Sequence, residues 1–378
     1  MNVLSITHYT ELYGANRSLL SLLNGIPKHN FNGFLIAPYE GAITKEVKKR
    51  GIASYTLPFK RWMSTDRWKA PARLALNLSV LPVLARKASE WDVDLVHTNS
   101  SVTPIGALLS EVLSLPHVWH VREFGLRDFG LHYDWGRKLF KTFMGRAKAT
   151  IAVSESVRQS VLNDVDTPSH VVYNGVISKT RLDQLGKREK YSVSKNENPF
   201  TFAIVGQICP EKGQKQALRA LHLFKQEGGE GRLLVAGDGS SEHVMSLRQL
   251  CQSLGLGDVV SFLGYVNEPF KVYQKADAVL MCSPHEAMGR VTAEAMAAAR
   301  PVVGYNSDGT AELIDNEQNG LLYDGTTEDL ADCMRRLMEA PDWARSLGEN
   351  GQQKASAQFT NEIYAQRVYE VFCNSIYD

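Results

Sequence analysis

The chain has 378 residues, more than a single hydrophobic core usually holds, so two domains are expected. Apolar residues make up 44% and charged residues 22% of the sequence, as in an ordinary globular protein. The five cysteines form no CxxC pair, which argues against a metal knuckle or a secreted disulfide framework and favours a reducing, cytoplasmic setting. No run of about 18 apolar residues is present, so no bilayer-spanning helix is expected.

The net charge of +1 conceals two halves of opposite charge. Residues 1–190 contain 26 lysines and arginines against 16 acidic residues, whereas residues 191–378 contain 16 against 25. The excess of positive charge in the first half could attract nucleic acid or an anionic membrane. Because the sequence contains no zinc finger, RNP-type aromatic motif or basic helix, the membrane is the favoured partner and nucleic acid is not expected.

Short apolar runs alternate with amphipathic helical patterns along the chain, beginning with MNVLSITHY, which lacks the features of a signal peptide. The predicted strands of the first half are VLSIT (3–7), GFLIAP (33–38), LVHTN (95–99), HVWHV (117–121), ATIAVS (149–154) and HVVYNG (170–175). Those of the second half are FAIVG (202–206), RLLVAGDG (232–239), VVSFLG (259–264), AVLMCS (278–283), PVVGY (301–305) and GLLYD (320–324). This alternation predicts an α/β fold with covered parallel sheets.

A polar stretch, KREKYSVSKNENP, interrupts the alternation at residues 187–199 and is predicted to be a linker. It divides the chain into two predicted Rossmann-like domains, residues 1–188 and 189–360, with a cleft between them. In such sheets ligands bind beyond the carboxyl ends of the strands, so the residues that follow each strand are the candidate site residues.

Two turns of the first half carry such candidates. Gly14 lies between the first strand and a helix, in a turn that suits a phosphate. His120 lies at a predicted strand end and is followed by Arg122 and Glu123. This position favours a contact with substrate, and the alternative is a buried histidine with a structural role.

Three turns of the second half carry glycines. Gln207 and Lys212 follow the strand FAIVG, where a lysine would neutralise a phosphate. Gly237 lets a planar base or a phosphate approach the backbone, and Gly264 and Tyr265 present backbone groups to a base edge. The alternative for the lysine is an ordinary solvated side chain.

The segment SPHEAMGRVTAEAMAAARPVVGY (283–305) is predicted to form a turn, a helix and a strand. Gly289 permits a close backbone approach at the start of the helix. The amides around Gly289, Arg290 and Val291 would therefore form an anion site.

Two glutamates of this segment stand eight positions apart. Glu286 lies just before the predicted anion site and could project toward a ligand. Glu294 lies about a turn and a half into the helix, where a carboxylate could accept two hydrogen bonds from the cis-diol of a ribose. The alternative is one surface charge and one helix-capping charge.

Two basic and apolar segments, residues 59–91 and 134–149, are predicted to meet an anionic bilayer and a lipid-linked acceptor. The first segment combines basic residues with apolar ones that are expected to be exposed: Lys60, Arg61, Arg67, Lys69, Arg73, Arg86, Lys87, Trp62, Met63 and Trp68. The alternative is a pair of ordinary amphipathic helices with solvated charges.

The order of these motifs resembles the retaining glycosyltransferases of family 4. The matching segments are YGANRS (13–18), AVSES (152–156), YNGV (173–176) and NGLLYD (319–324). The most specific element is the E-x7-E pattern of Glu286 and Glu294. The resemblance implies the GT-B fold, with two Rossmann-like domains facing an interdomain cleft and a C-terminal helix, residues 361–378, that returns to the N-terminal domain.

The resemblance also implies roles for the candidate residues. Glu294 would hold the ribose of a sugar nucleotide, and Glu286 would contact hydroxyls of the transferred sugar. Lys212 and the amides near Gly289 would bind the diphosphate, and His120 would lie beside the donor sugar. Such a site needs no metal ion, and the candidate turns carry no Asp-x-Asp motif.

Two positions depart from the family pattern. Gln207 stands where the family usually carries an arginine that assists the diphosphate, and Arg290 is the alternative source of that charge. Gly14, which would also contact the diphosphate, is single where two consecutive glycines are common.

These features predict a metal-independent hexosyltransferase, without a cofactor, that moves a sugar from a UDP- or GDP-sugar to a saccharide acceptor. The acceptor is expected to be linked to polyprenyl diphosphate, as in lipopolysaccharide or capsule assembly, and the enzyme to be peripheral at the cytoplasmic face of the membrane. A sugar-nucleotide epimerase or a phosphorylase of the same fold is the first alternative. A sugar-nucleotide-binding protein without catalysis, which Gln207 keeps open, is the second.

Overall fold

The structure is a computed structural model that describes residues 1–25, 31–187 and 199–377. It consists of two compact units, residues 1–175 with 361–378, and residues 176–360. The division therefore falls before the predicted boundary at 188/189, which lies outside the described residues together with most of the predicted linker. The backbone explains the shift: Val176 N donates to Phe359 O at 2.9 Å, and Ile177 pairs with Thr360, so the chain joins the second unit at residue 176.

The first unit contains a seven-stranded parallel sheet with the order β3-β2-β1-β5-β6-β8-β9. Two short strands, β4 and β7, pair antiparallel apart from this sheet. The strands are β1 (Asn2–Ile6), β2 (Asn32–Ala37), β3 (Ala53–Thr56), β4 (Met63–Ser64), β5 (Leu95–Thr98), β6 (His117–Val121), β7 (His132–Tyr133), β8 (Ala149–Ala152) and β9 (Ser169–Val171). The helices are α1 (Gly14–Gly25), α2 (Ala42–Lys49), α3 (Ala70–Glu90), α4 (Ile105–Leu113), α5 (Leu126–Phe129), α6 (Gly136–Met144) and α7 (Glu155–Val157).

The second unit contains a six-stranded parallel sheet with the order β12-β11-β10-β13-β14-β15. Its strands are β10 (Phe200–Val205), β11 (Gly231–Ala236), β12 (Val260–Gly264), β13 (Ala278–Met281), β14 (Val302–Tyr305) and β15 (Leu321–Tyr323). Its helices are α8 (Lys179–Lys187), α9 (Gln214–Gln226), α10 (Ser241–Ser253), α11 (Phe270–Tyr273), α12 (Arg290–Ala297), α13 (Asp308–Leu313), α14 (Thr327–Glu339) and α15 (Pro341–Gln358).

The last helix, α16 (Asn361–Tyr377), belongs to the first unit. It packs beside α1, where Tyr369 Oη donates to Leu22 O at 2.5 Å and the Tyr369 ring stacks on Phe31 at 4.9 Å between centroids. Phe372 is almost fully buried in the same core. The first unit is therefore closed by two segments that lie at opposite ends of the sequence.

Three histidines lie inside the first sheet and are buried: His97 in β5, and His117 and His120 in β6. Burial lowers the pKa of each below its usual value, to about 3 for His117. His120 is 0% exposed within β6, whose bounds agree with the predicted strand. Its ring packs toward Tyr364 of α16, which favours the alternative of a structural histidine. The contact of His120 with a donor sugar stays a prediction.

We expect the free energy of unfolding to fall as the pH is lowered below about 6.5, because unfolding lets these histidines bind protons that the folded chain excludes. Each histidine contributes up to about 1.4 kcal/mol per pH unit. Urea unfolding of His120→Gln should show a pH dependence shallower by about that amount between about pH 6 and pH 4. The exposed His132→Gln is the control, and equal slopes for both variants would contradict a neutral, buried His120.

Candidate active site

The strand order of the second sheet reverses between β10 and β13, where ligands of such sheets bind. Lys212 lies in the loop after β10, and Glu286 lies in the loop after β13. Lys212 Nζ donates to Glu286 Oε1 in an ion pair whose side chains are 34% and 15% exposed, respectively. Two residues predicted from separate motifs therefore meet at the switch point. Gln207, in the same loop as the lysine, is exposed.

Three glycines end adjacent strands at this edge of the sheet. Gly206, Gly237 and Gly264 follow or end β10, β11 and β12 with φ angles of 146°, 148° and 68°, which favour glycine. A Cβ atom at Gly237 would lie 1.7 Å from the carbonyl oxygen of Gly206. The edge is therefore bare backbone, and beside it lies the exposed ring of Tyr265. This surface can receive a flat group such as a nucleobase.

Helix α12 begins at this edge, directly after Gly289. Gly289 has a φ of 76°, a left-handed conformation that ends the loop and starts the helix. Val291 is half-buried in the first helical turn. The amides of a first turn have no intrahelical acceptor, and together with the helix dipole they favour an anion.

The Glu294 carboxylate is buried in the middle of α12. Its side chain is 6% exposed, and it accepts hydrogen bonds from Tyr273 Oη and Arg290 Nε, each at 2.9 Å. The interpretation of Glu294 as an ordinary surface or capping charge is therefore wrong. Two donors fix the orientation of the carboxylate. Arg290 lies one helical turn before Glu294, next to Gly289, so the two side chains share one face of α12.

Sequence reasoning missed three buried hydroxyl groups, two of which lie beside Gly289. Ser283 Oγ, Thr292 Oγ1 and Thr310 Oγ1 have no hydrogen-bond partner among the described residues. A Cβ atom at Gly289 would lie 3.2 Å from Thr292 Oγ1 and 3.4 Å from Thr310 Oγ1. The position of Thr292 in the first turn of a helix after a glycine was the available signal, whereas Thr310 comes from a separate segment. The turn is thus surrounded by hydrogen-bonding groups.

The start of α13 holds the backbone of Glu286 in place. Gly309 N donates to Glu286 O at 2.9 Å, and a Cβ atom at Gly309 would lie 2.7 Å from Ala287 O. His285 Nδ1 contacts Asp308 Oδ2 at 2.9 Å. The start of α13 therefore packs directly on the loop that precedes α12.

The first unit has its own switch point between β1 and β5. Gly14 is exposed as the first residue of α1, on the loop that follows β1. The buried Asn16 side chain fixes this loop, because it accepts from Thr7 Oγ1 at 2.7 Å and donates to Tyr9 O and Glu11 O at 2.9 Å. Asn16 therefore fixes the turn before α1, where this chain has the single Gly14 and not two consecutive glycines.

Arg122 and Glu123 lie directly after β6, as the sequence predicted. Arg122 donates to Asn99 Oδ1 at 2.8 Å and to Tyr364 Oη at 2.7 Å. Glu123 Oε1 accepts three hydrogen bonds from Ser100 and Ser101, and burial raises the pKa of Glu123. These two residues tie the ends of β5 and β6 together.

The basic segment 59–91 differs in part from its prediction. Trp62 and Met63 are buried, not exposed, because Trp62 stacks on Trp119 at 5.8 Å between ring centroids and Met63 belongs to β4. Trp68 is 78% exposed, with Lys69 Nζ 4.8 Å from its ring centroid. An exposed aromatic with basic neighbours therefore remains at the start of α3.

Within the described residues, no helix is long and apolar enough to cross a bilayer. No group of three or more histidine, cysteine, aspartate or glutamate side chains in the same part of the chain is arranged to hold a metal ion.

Two family models match this chain. The model described as Glycosyltransferase Family 4 matches residues 13–179, and the model described as Glycosyl transferases group 1 matches residues 187–354. Together they cover both units.

Individual proteins agree with these matches. An uncharacterized glycosyltransferase of Methanocaldococcus jannaschii is 30% identical over 297 residues, 74% of this chain and 75% of that protein. A GDP-mannose-dependent phosphatidylinositol monomannoside mannosyltransferase of Mycobacterium tuberculosis is 29% identical over 191 residues, 48% of each chain. The crystal structure of Anabaena HepE in complex with UDP has a TM-score of 0.80 at 22% identity, over 99% of this chain and 100% of HepE. This chain therefore belongs to glycosyltransferase family 4 and has the GT-B fold.

Proposed function

We propose that this glycosyltransferase is a retaining, metal-independent hexosyltransferase that uses a UDP- or GDP-sugar and a lipid-linked saccharide in the assembly of lipopolysaccharide or capsule. One observation carries the donor assignment: the start of α12, Lys212 and the fixed carboxylate of Glu294 occupy one edge of the second sheet. The start of α12 and Lys212 match the diphosphate of a sugar nucleotide, and the Glu294 carboxylate matches its ribose.

The ribose would bind at Glu294. Tyr273 holds one carboxylate oxygen, while Arg290 holds the other through a side chain that is 21% exposed. Ribose hydroxyls would donate to this carboxylate and take the place of the Arg290 contact. The released guanidinium then lies beside the diphosphate, where it supplies the charge that Gln207 lacks.

The diphosphate would bind between the first turn of α12 and Lys212. The Glu286 carboxylate pairs with Lys212 and neutralises its charge. A phosphate oxygen would compete for Lys212 Nζ, which frees the Glu286 carboxylate to accept hydrogen bonds from hydroxyls of the sugar. Lys212 and the helix amides then stabilise the negative charge that develops on the departing diphosphate.

The nucleobase would lie on the surface formed by Gly237, Gly264 and Tyr265. HepE, which has the same fold, was crystallised with UDP and with UDP-glucose, and this supports a UDP-sugar. The mycobacterial relative is named as GDP-mannose-dependent, which keeps a GDP-sugar open. Retention follows if the acceptor hydroxyl attacks from the face that the diphosphate leaves, and its proton can pass to a diphosphate oxygen.

The lipid-linked acceptor and the membrane location rest on the first unit. The first unit, residues 1–175 with 361–378, has 22 lysines and arginines against 17 acidic residues, and Trp68 and Lys69 are exposed together just before α3. The mycobacterial relative acts on a phosphatidylinositol mannoside, as its name states. A peripheral protein that draws its acceptor from the cytoplasmic face of a bilayer fits these features.

Glu294→Ala should weaken the binding of UDP or GDP by at least about tenfold, because the ribose hydroxyls lose a charged acceptor. Tyr273→Phe should cause a smaller loss, since it only frees the carboxylate to rotate. Isothermal titration calorimetry measures both, with the exposed Glu328→Ala of α14 as the control. Wild-type affinity in Glu294→Ala would refute the ribose role.

Reversing two exposed charges, Arg67→Glu with Lys69→Glu, should weaken binding to vesicles of phosphatidylcholine and phosphatidylglycerol by at least about 30-fold, since each basic residue near such a surface contributes about 1 kcal/mol. The matched control reverses Lys225 and Lys275 of the second unit, which are also exposed. Cosedimentation measures the binding. The membrane assignment fails if both double variants sediment like the wild type.

A further inference from the structure

The first unit contains an apolar cavity of about 170 Å³ beneath α3, α4 and α6. Its apolar lining comes from three helices and from the loop before β4: Trp62, Leu74, Leu108, Trp135, Leu139 and Phe143. An apolar cavity of about 150 Å³ accepts a benzene molecule, so this one has room for a hydrocarbon group of similar size, such as one isoprene unit.

The polar side chains Arg73, Asn77 and Asp134, which line the cavity, already form hydrogen bonds or ion pairs with other protein groups. Arg73 pairs with the buried Asp134 at 2.6 Å and also donates to Ser64 Oγ. Asn77 exchanges hydrogen bonds with the backbone of Lys60, at 2.8 and 3.0 Å. The cavity therefore offers an apolar surface, and its internal charges neutralise each other.

Arg61 is the exception at the rim of the cavity. It is exposed, and its guanidinium has no ion pair or hydrogen bond within the described part of the chain. The adjacent Trp62 donates from its backbone N to Val102 O at 3.0 Å and from Nε1 to Ser101 O at 2.7 Å, in the loop that follows β5 at the switch point. Arg61 therefore lies on the segment that joins the cavity to the carboxyl edge of the first sheet.

We propose that the cavity holds the first isoprene unit of a polyprenyl-diphosphate-linked acceptor and that Arg61 binds its diphosphate. This inference rests on the proposed function and gives the acceptor lipid a specific site. Charge complementarity selects this occupant, because one free cation at the rim of an apolar cavity matches an anion joined directly to a hydrocarbon chain. The saccharide beyond the diphosphate would then extend toward the carboxyl edge of the first sheet.

Farnesyl diphosphate is the probe that tests this site in the full chain. Titration calorimetry should show it to bind at least about tenfold more tightly than either pyrophosphate or farnesol, since only the joined groups fill both parts of the site. Leu74→Trp, which fills the cavity, should weaken its binding at least about tenfold. Leu78→Trp, one turn along α3 at an exposed position outside the lining, is the matched control and should bind like the wild type.

Arg61→Gln should lower the affinity for farnesyl diphosphate at least about tenfold and leave the affinity for farnesol unchanged. If Leu74→Trp does not fold, Leu139→Trp at a more exposed position of the lining replaces it. Equal affinity in the cavity-filling and control variants, or equal affinity of the wild type for a short-chain phospholipid, would overturn the inference. UDP binding in every variant reports on the donor site separately, so a farnesyl diphosphate failure with intact UDP binding leaves the proposed function standing.

Discussion

The buried carboxylate of Glu294 is the constraint on which the donor edge depends. An ionised group that is 6% exposed in the middle of a helix is costly unless it is paired, and here Arg290 and Tyr273 offset that cost. Because the arginine lies one helical turn before the glutamate and directly after Gly289, one short segment sets the helix start, the cation and the acid together. This arrangement gives a rigid polar surface at the end of a sheet whose interior is apolar.

The fold was largely predictable because buried parallel strands are continuous apolar runs with turns at their ends. The strand β3 was missed, since ASYT is a half-exposed edge strand of mixed polarity. The expectation that ligands bind beyond the carboxyl ends of parallel strands also predicted that Lys212, Glu286 and Glu294 lie at one edge of the second sheet. For His120 the bounds of the strand were predicted correctly, but every residue of β6 is buried, and the sequence pattern does not show which side chain near a strand end reaches solvent.

Other features needed tertiary information. Trp62 and Met63 lie in a basic segment that reads as surface, yet β4 pairs with β7, nearly 70 residues along the chain, and the indole stacks on Trp119. Nothing local in the sequence encodes that pairing. The ion pair of Lys212 with Glu286 also joins residues from separate loops, and it suggests an exchange in which donor phosphate takes the lysine and releases the glutamate to the sugar.

A crystal structure of the protein with UDP tests the central claim most directly. We expect phosphate oxygens within hydrogen-bond distance of the amides of Arg290 or Val291 and of Lys212 Nζ, and ribose hydroxyls on the Glu294 carboxylate. A nucleotide bound elsewhere, with Glu294 still bonded only to Tyr273 and Arg290 and Lys212 still paired with Glu286, would contradict this account.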